Sequence, residues 1–397
     1  MGKSRPPEKS KLNKKKKSVM NGSSKSPAQL LVDAVEQLQT SNPQGALKLA
    51  TTALKSLRTK SDKTEQLPAL SVLGEICIEL GDISTAVAFF TQAAEIDADG
   101  EVPEERGGGP EKFFWLAQLS EEGGRDSVEW YQKGADVLRK QIAALAAEEN
   151  NEEAEALLDE QRVKLASALC SVAEIWMTDL SWDDNEAETE CNKAMEEALC
   201  VAPDRPETLQ TVASVRISQS KLDEAREHLR NSLALWRDLD PEDTQVPDFP
   251  TRISLSRLLM EAEMEEEANE VLERLVAEDD ESVEAWYLGG WCLYLIAQRQ
   301  QKLASETMKD SDESGVSSES GEDVQEILRR SRKWLQRCLR LCKTLDYEDE
   351  RLREHALELV KQLNEALGDE DVDNDSEDDY EGDGSEDEDE DAEMEGT

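Results

Sequence analysis

The sequence is poor in residues that build metal or catalytic centres. It has only two histidines, His228 and His355, and seven scattered cysteines that form no Cys-x-x-Cys pair. Tetrahedral zinc sites need clustered Cys and His ligands, so a zinc site is not expected. The phosphate-binding pattern GxxxxGK[ST] and a histidine pair are also missing, which disfavours an enzyme. We therefore expect no catalysis, no metal and no cofactor.

Long hydrophobic runs are also missing. No apolar stretch approaches the ~20 residues that a helix needs to cross a bilayer. The first residues are basic and polar, unlike the apolar core of a secretory signal. The sequence therefore predicts a soluble, intracellular protein with no membrane partner. Most of the cysteines fall on apolar helical faces, where we expect small buried thiols.

Basic residues are scarce relative to acidic ones. The chain has 91 Asp and Glu against 45 Lys and Arg, a net charge of −46 and a pI near 4.3. Residues 368–397 hold eighteen acids and no base, and residues 1–25 carry a net +8, which leaves −36 on the part between them. Phosphate contacts need Lys and Arg, so nucleic acid is not expected to bind directly. Such a negative field favours a strongly basic polypeptide as partner.

Helix-pair patterns dominate what the sequence does contain. Between Leu67 and Gly100, apolar and small residues recur at helical spacing, Gly81-Asp82 interrupts them, and a second helical face follows. The small residues Gly74 and Ala86, twelve positions apart, fall where the two helices must approach each other. A helix pair of this length cannot bury its own apolar face, so it needs a like neighbour on each side.

Other parts of the chain repeat this spacing. Residues 206–239 place Ala213 and Ala225 twelve positions apart, and residues 27–60 and 249–282 follow the same pattern. The pattern resembles the tetratricopeptide repeat, a helix pair with a period of about 34 residues. The resemblance implies an all-α fold, a right-handed superhelical solenoid of about seven degenerate repeats with a C-terminal capping helix, which the sequence places near residues 348–367.

Composition divides the chain into segments. Residues 1–26 are predicted to be a basic disordered tail, residues 27–367 the solenoid, and residues 368–397 an acidic disordered tail. An acidic, low-complexity insert at about 303–323 is predicted to be disordered within the last repeat.

Two stretches inside the solenoid depart from the regular pattern. Residues 137–158 are rich in alanine and glutamate and are predicted to continue one overlong helix beyond its partner. Residues 181–190, SWDDNEAETE, are predicted to be an acidic insertion in the turn of the fourth repeat.

Lysines cluster near the beginning of the chain. Such a run is a candidate nuclear-import signal, with an importin as partner, or a flexible solubilising tail. The residues of the candidate signal are Lys11, Lys14, Lys15, Lys16 and Lys17.

The candidate binding surface follows from the repeat. In tetratricopeptide repeats the first helix of each unit lines the concave side, and a fixed set of its positions points inward. Carboxylates there would pair with Lys and Arg of a ligand, and aromatic rings would stack on guanidinium groups. The alternative is that the acids are ordinary solvated side chains and the aromatic residues pack the last repeat. The candidates are Glu75, Glu79, Glu111, Phe114, Glu121, Glu122, Glu174, Asp179, Glu207, Glu261, Glu284, Tyr287, Trp291 and Tyr294.

The arrangement of the whole chain resembles one family. A basic N-terminal tail, degenerate repeats, a split last repeat and an acidic C-terminal tail are similar to the dedicated assembly chaperones of the fourth large-subunit ribosomal protein, L-four. The resemblance implies a one-to-one complex with newly made L-four through that protein's long basic internal loop. It also implies escort from cytoplasm to nucleus and delivery to the pre-60S ribosomal subunit.

Other binding functions remain open at this stage. An acidic body with an acidic tail would also suit a histone-type chaperone or a general tetratricopeptide-repeat scaffold for basic proteins. A co-chaperone that clamps the C-terminal carboxylate of a heat-shock protein is disfavoured, because the surface offers mostly glutamate where that function needs Lys, Arg and Asn.

Overall fold

The computed structural model describes residues 25–60, 62–147, 152–181, 184–310 and 319–368. Within these ranges every regular element is helical and no strand occurs, which confirms the all-α prediction. The chain divides into two compact units, of which the first ends at Arg237 and the second begins at Asp238. The lysines of the candidate import signal and residues 369–397 lie outside the described ranges.

The first unit contains ten α-helices in its described residues, and consecutive helices pack as pairs. They are α1 (Pro27–Gln39), α2 (Pro43–Leu57), α3 (Leu67–Glu79), α4 (Ile83–Ile96), α5 (Glu111–Gln118), α6 (Gly124–Leu145), α7 (Glu152–Met177), α8 (Asp184–Val201), α9 (Pro206–Ser218) and α10 (Leu222–Ala234).

The second unit contains two helix pairs and a final helix in its described residues. They are α11 (Phe249–Glu261), α12 (Glu265–Glu278), α13 (Val283–Asp310), α14 (Glu319–Thr344) and α15 (Glu350–Leu367). Helix α15 packs on α14 and occupies the segment predicted as the capping helix.

Local sequence fixes where these helices begin. The side chains of Ser26, Asn42 and Asp248 accept hydrogen bonds from backbone N–H groups in the first turns of α1, α2 and α11. A proline stands within the first two positions of each of these helices. Proline suits this place because its fixed φ is helical and its missing N–H would have had no partner there.

The turn inside the regular pairs uses one left-handed residue at a constant position. Ser41, Gly81, Ser220 and Glu263 have φ of 56°, 73°, 60° and 59°, and each follows the first helix of its pair by two residues. This conformation turns the chain sharply at the end of a helix, and only glycine adopts it without cost. Three of the four turns therefore have a strained residue at a position where glycine would be unstrained.

Small residues allow the paired helices to approach, as the twelve-residue spacing predicts. The ring of Phe90 on α4 fills the space over Gly74 of α3, where a Cβ atom would stand 2.4 Å from the ring. Ala213 of α9 and Ala225 of α10 are completely buried. The apolar faces pack onward to the next pair, so that buried Leu67 and Leu70 share one core cluster with helices α1 and α2.

The cysteines behave as small apolar side chains. Cys77, Cys170, Cys191, Cys292, Cys338 and Cys342 are buried, and Cys200 is exposed. Burial raises the pKa of the Cys191 thiol to about 11, which keeps it protonated and unreactive near neutral pH. The prediction that most of the cysteines are buried thiols is confirmed.

The prediction of one overlong helix through residues 137–158 is wrong. Helix α6 ends at Leu145 and a new helix, α7, begins at Glu152 and packs back against α6. The sequence between them carries Asn150 and Asn151, which are weak helix formers. Both sides of the break are rich in alanine and glutamate, so the composition does not change there and the pattern did not predict it.

Two other predicted boundaries also differ. Helix α8 begins at Asp184, so most of the predicted acidic insertion, residues 181–190, belongs to a helix. Helix α13 continues to Asp310 and α14 begins at Glu319, so both ends of the insert predicted at 303–323 are helical. No glycine or proline interrupts residues 297–310, which allows α13 to extend. Residues 311–318 lie outside the described part of the chain.

A buried ion pair holds the long connection between α4 and α5. The Nζ atom of Lys112 lies 2.8 Å from the carboxylate of Asp97, and both side chains are less than 5% exposed. Lys112 also donates to the carbonyl of Gly109, at 2.6 Å. Burial lowers the pKa of Lys112, and the Asp97 carboxylate opposes that shift. Nothing in the sequence pattern predicts this pair.

Candidate binding surface

Four candidate carboxylates project from first helices of the first unit. Glu75 and Glu79 lie on α3, Glu174 on α7 and Glu207 on α9. Glu79, Glu174 and Glu207 are exposed, and Glu75 is half-buried. Among the described residues, no lysine or arginine forms an ion pair with any of the four. These helices therefore present negative charge that the described chain leaves unneutralised.

Glu75 and Glu111 interact across neighbouring helices. Burial raises the pKa of Glu75, and the charge of Glu111 on α5 raises it further. Burial also raises the pKa of Glu111, against the opposing effect of Lys164, with Glu104 adding to the rise. The Nζ atom of Lys164 lies 3.8 Å from the Glu111 carboxylate and 3.4 Å from that of Glu104. One lysine is thus shared among several acids.

Lys164 was missed in the sequence analysis. It also lies 3.0 Å from the carboxylate of Glu160, one helical turn earlier on α7. Burial opposes the charge of Lys164, but its carboxylate neighbours outweigh burial and raise its pKa. The spacing of four residues between Glu160 and Lys164 is a helical ion-pair signal that the sequence does show. The contacts with Glu104 and Glu111 depend on the fold.

Glu174 and Glu207 come together around the buried thiol of Cys170. Burial raises the pKa of Cys170 to about 11, a hydrogen bond with Thr211 opposes the rise, and both carboxylates add to it. Desolvation by the surrounding side chains also raises the pKa of Glu174, although part of that residue is exposed. Helices α7 and α9, which pack against each other, therefore form a second acidic area.

Glu121, Glu122 and Asp179 occupy loops, not helices. Helix α5 ends at Gln118, so Glu121 and Glu122 lie in the α5–α6 loop, which corrects their predicted place on a first helix. Glu122 and Asp179 line a shallow depression with Arg125. One carboxylate oxygen of Asp179 accepts a hydrogen bond from the backbone N–H of Gly124, at 3.3 Å. Asp179 is therefore partly used in holding this loop.

Phe114 packs inside its own helix pair. Its ring covers Gly134 of α6, where a Cβ atom would stand 2.3 Å from the ring, and lies 5.9 Å from the Tyr131 ring. The side chain is half-buried. The ring therefore fills the gap between α5 and α6, and its contact with a client stays a prediction.

Glu261 and Glu284 are the acidic candidate binding residues of the second unit. Glu261, at the end of α11, is exposed. Glu284, in the first turn of α13, pairs with the guanidinium of Arg257 on α11. Arg257 therefore neutralises one of the two acids, and this part of the surface is less negative than α3 and α7.

The aromatic residues of α13 are covered by α15. The Tyr287 hydroxyl lies 2.7 Å from Nδ1 of His355, and the Tyr294 hydroxyl donates to the side chain of Gln362 at 2.7 Å. The Trp291 ring meets the His355 ring edge-on, with centroids 5.1 Å apart. Burial raises the pKa of Tyr287 to about 12. The three side chains are half-buried against α15, so packing of the last repeat, the alternative, accounts for these contacts, and contact with a ligand stays a prediction.

The described residues contain neither a metal-binding cluster nor a helix able to span a membrane. No group of three or more His, Cys, Asp and Glu side chains in them is arranged to hold a metal ion. No helix in the same ranges combines the length and apolar character that crossing a membrane requires.

Comparison with known proteins gives consistent matches. Residues 281–389 match a family model described as the ACL4 C-terminal domain. A protein of Emericella nidulans, named as a probable assembly chaperone of rpl4, is 45% identical over 379 residues, which cover 93% of this chain and 92% of the relative. A protein of Schizosaccharomyces pombe with the same description is 33% identical over 335 residues, or 84% of this chain and 90% of the relative.

A solved structure extends the match to three dimensions. The structure named Assembly Chaperone of RpL4 (Acl4), residues 1–338, superposes with a TM-score of 0.64 and 49% sequence identity. The match covers 70% of this chain and 100% of the solved one. High identity over nearly the full length of the relatives, together with this shared helical fold, leads to one conclusion. The chain belongs to the family of rpl4 assembly chaperones.

Proposed function

We propose that this chain is a non-enzymatic chaperone that binds newly made ribosomal protein L4 and keeps it soluble until assembly. The observation that carries the proposal is the set of carboxylates on α3, α7 and α9 without a basic partner in the described chain. Burial and mutual repulsion already raise the pKa of Glu75, which means that its charged form lacks a compensating cation. A basic client would supply that cation.

The chemistry of recognition follows from this electrostatic state. Lysine and arginine of the client would form charge-assisted hydrogen bonds with Glu75, Glu79, Glu174 and Glu207. Repulsion among the acids would decrease on binding, so the reduced repulsion between the chaperone's own carboxylates would contribute part of the binding free energy. Attraction between opposite fields would also speed the encounter and make it sensitive to salt. We propose a long basic loop of the client as the bound segment, in a one-to-one complex.

The later steps are proposed on the same basis. The chaperone would accompany its client from the cytoplasm to the nucleus and release it to the pre-60S ribosomal subunit. An importin would recognise either the run Lys14, Lys15, Lys16 and Lys17 or a signal on the client. Deletion of residues 1–25 distinguishes the two, because nuclear entry would slow only if the chain's own lysines are recognised.

Charge reversal tests the proposed surface. Glu75, Glu79, Glu174 and Glu207 are replaced together by lysine, and binding to purified L4 is measured by fluorescence anisotropy. We expect the affinity to fall at least about 100-fold, since each lost contact to a charged group is worth about 1.5–3 kcal/mol. Helical content should not change, because three of the four charges are exposed and contribute little to stability, and half-buried Glu75 has no ion pair to lose in the described chain.

A matched control carries the same change of charge elsewhere. Glu95, Glu129, Glu196 and Glu227 are exposed acids on the second helices α4, α6, α8 and α10. Their reversal should weaken binding by less than about tenfold through the general field. Equal losses in the two variants would contradict a defined surface. Equal affinity for L4 and for histones in the unmodified chain would favour the histone-type chaperone or the general scaffold instead.

A further inference from the structure

One helix of this acidic chain carries a basic face. Between residues 327 and 345, α14 and the one residue after its end contain seven Lys and Arg and no Asp or Glu. Arg330 and Arg337 pair with Glu273 and Asp280, which lie on and after α12. A second set of bases points to solvent between these pairs and α15. We call this set the basic stripe, and its members are Arg329, Lys333, Arg340 and Lys343.

The stripe follows from helical spacing. Positions 329, 333, 336, 340 and 343 are separated by four, three, four and three residues, so they share one face of α14, and all are exposed. The stripe is about 21 Å long at 1.5 Å per residue. Within the described residues no acid pairs with Lys333, Arg340 or Lys343, while Arg329 contacts only Glu326 of its own helix, at 3.4 Å. A chain with twice as many acids as bases leaves these cations uncompensated.

The acidic C-terminal tail begins beside the stripe. Leu363, on the last turns of α15, is buried in one core cluster with Val324 and Leu328 of α14. The side chain of Asn364 accepts a hydrogen bond from Arg332, at 3.3 Å. Gly368, with φ of 72°, then ends the helix. The chain therefore leaves α15 next to the first part of the basic stripe.

We propose that residues 369–397 bind the basic stripe of the same chain. This segment has eighteen acids and no base. Its 29 residues reach about 95 Å when extended, and an unstructured chain of that length spans about 30 Å on average, both more than the stripe requires. Attachment next to the stripe gives the tail an effective concentration on the order of millimolar, and opposite charge supplies the attraction.

Two competitors for this contact are weaker on physical grounds. The lysines of residues 1–25 could also attract the tail, but hundreds of residues separate the two segments along the chain, whereas the stripe is held rigid beside Gly368. Nucleic acid could also bind a basic helix, but it is not tethered to the chain, so it lacks the effective concentration that offsets, for the tail, repulsion by the net charge of −36 between the two tails. The docked tail would thus keep other polyanions away from α14.

Carbodiimide coupling tests the proposal in the full chain. The reagent joins a lysine amine to a touching carboxylate with loss of water, and adds no spacer. We expect products within one chain between Lys333 or Lys343 and residues 369–397. Their yield should not change on about tenfold dilution, as an intramolecular contact requires. It should fall several-fold when salt rises from about 0.05 to 1 M, since the screening length shortens to about 3 Å.

Two variants with the same change of charge make the test specific. Arg329→Glu with Arg340→Glu keeps both reporter lysines but replaces two of the stripe's four cations by anions, which brings its net charge to zero, and should reduce the coupling at least about fivefold. Arg162→Glu with Arg230→Glu changes two exposed arginines of α7 and α10 and should leave it unchanged. Circular dichroism checks that both variants remain folded.

Three results would overturn the proposal. The first is coupling of the tail mainly to Lys14, Lys15, Lys16 or Lys17. The second is an equal yield in the two arginine variants. The third is loss of the coupling at Lys333 and Lys343 when an equimolar uridine 20-mer RNA is added. That result would mean that the basic stripe binds nucleic acid.

Discussion

Individual carboxylates of this chain differ mainly in whether a cation reaches them. Asp97 is buried but has Lys112 at 2.8 Å, so its charge is compensated inside the first unit. Glu75 is only half-buried, yet its pKa is raised by burial and by Glu111, because no cation is near enough to offset them. The first kind of carboxylate serves the fold, and the second kind is available to a partner.

The buried pair makes a prediction about stability. Asp97→Ala would leave Lys112 buried without its partner, so the free energy of unfolding should fall by about 3–5 kcal/mol in urea denaturation. The double variant Asp97→Leu with Lys112→Met should lose less, since it removes both charges and keeps apolar volume. As a control, Glu190→Ala removes a surface ion pair in which Lys193 is exposed and Glu190 half-buried, and should cost less than about 1 kcal/mol. A loss below 1 kcal/mol for Asp97→Ala would contradict this role.

The raised pKa of Glu75 predicts a pH dependence of L4 binding, under the proposed function. In the free chain the pKa of Glu75 lies above its usual value, and a bound cation would lower it. Affinity should therefore be constant above the raised pKa and weaken as pH falls through it, by up to about tenfold per pH unit for each proton taken up.

Anisotropy titrations between pH 7.5 and 5 measure this dependence. Glu75→Gln should bind more weakly at neutral pH and show a flatter profile, because the titrating carboxyl is gone. An identical slope in that variant would mean that other groups carry the pH dependence.

The helix-pair turns explain why some elements were predictable. In the four regular pairs the first helix has thirteen residues and one left-handed residue sits two positions after it. Such pairs show a clear apolar period and a fixed spacing in the sequence, so their boundaries were predicted closely. The other pairs have longer or shorter helices, such as α5 and α7, and their boundaries depend on packing that the sequence does not display.

The left-handed turn position makes a prediction at the scale of these elements. Gly81 has φ of 73° and no atom within 4 Å of where a Cβ would lie, so Gly81→Ala changes only the backbone energy. The cost should be about 1 kcal/mol. Ser220→Gly relieves the same strain at φ of 60° and should gain about 0.5 kcal/mol after the entropy cost of glycine. Thermal unfolding measures both, and a stabilising Gly81→Ala would contradict this explanation.

Candidate site residues were predictable where the first helix of a pair could be recognised in the sequence. Glu75, Glu79, Glu174 and Glu207 emerge on first helices as the repeat pattern suggested. Tyr287, Trp291 and Tyr294 were placed on the correct helix, but nothing in the sequence showed that α15 would pack over them. Long-range pairing between helices is decided by the fold, not by the period of one segment.

The covered aromatic residues predict an effect on α15. Trp291→Ala removes a ring that contacts Tyr287 and His355, so the second unit should lose about 2–4 kcal/mol of stability. Faster amide hydrogen exchange along residues 350–367 would locate the loss. Leu357→Ala is the control, since that side chain on α15 is 53% exposed and should cost little. If Trp291→Ala left stability unchanged but weakened L4 binding, Trp291 would be a ligand contact instead.

At the scale of the whole molecule, charge divides into three parts, a basic N-terminal segment, an acidic middle part and an acidic C-terminal tail. The part between residues 25 and 368 carries a net −36, which is more than the tail supplies. A basic client can therefore be held by the folded helices without the tail. The tail has its own cationic neighbour on α14 under the further inference, and so it need not compete for the client. These two roles are separable by truncation.

The last prediction removes residues 369–397 and measures L4 binding across salt concentrations. A specific surface on the helices should keep its affinity within about threefold of the full chain, because its short-range charge pairs act in a Debye length of about 8 Å at physiological ionic strength. A general polyanion would lose most of its affinity with its eighteen tail acids. Reversal of Glu75, Glu79, Glu174 and Glu207 in the truncated chain should then abolish binding. If the truncated chain binds L4 and ignores these four reversals, the carboxylates of the first helices are not the surface that holds the client.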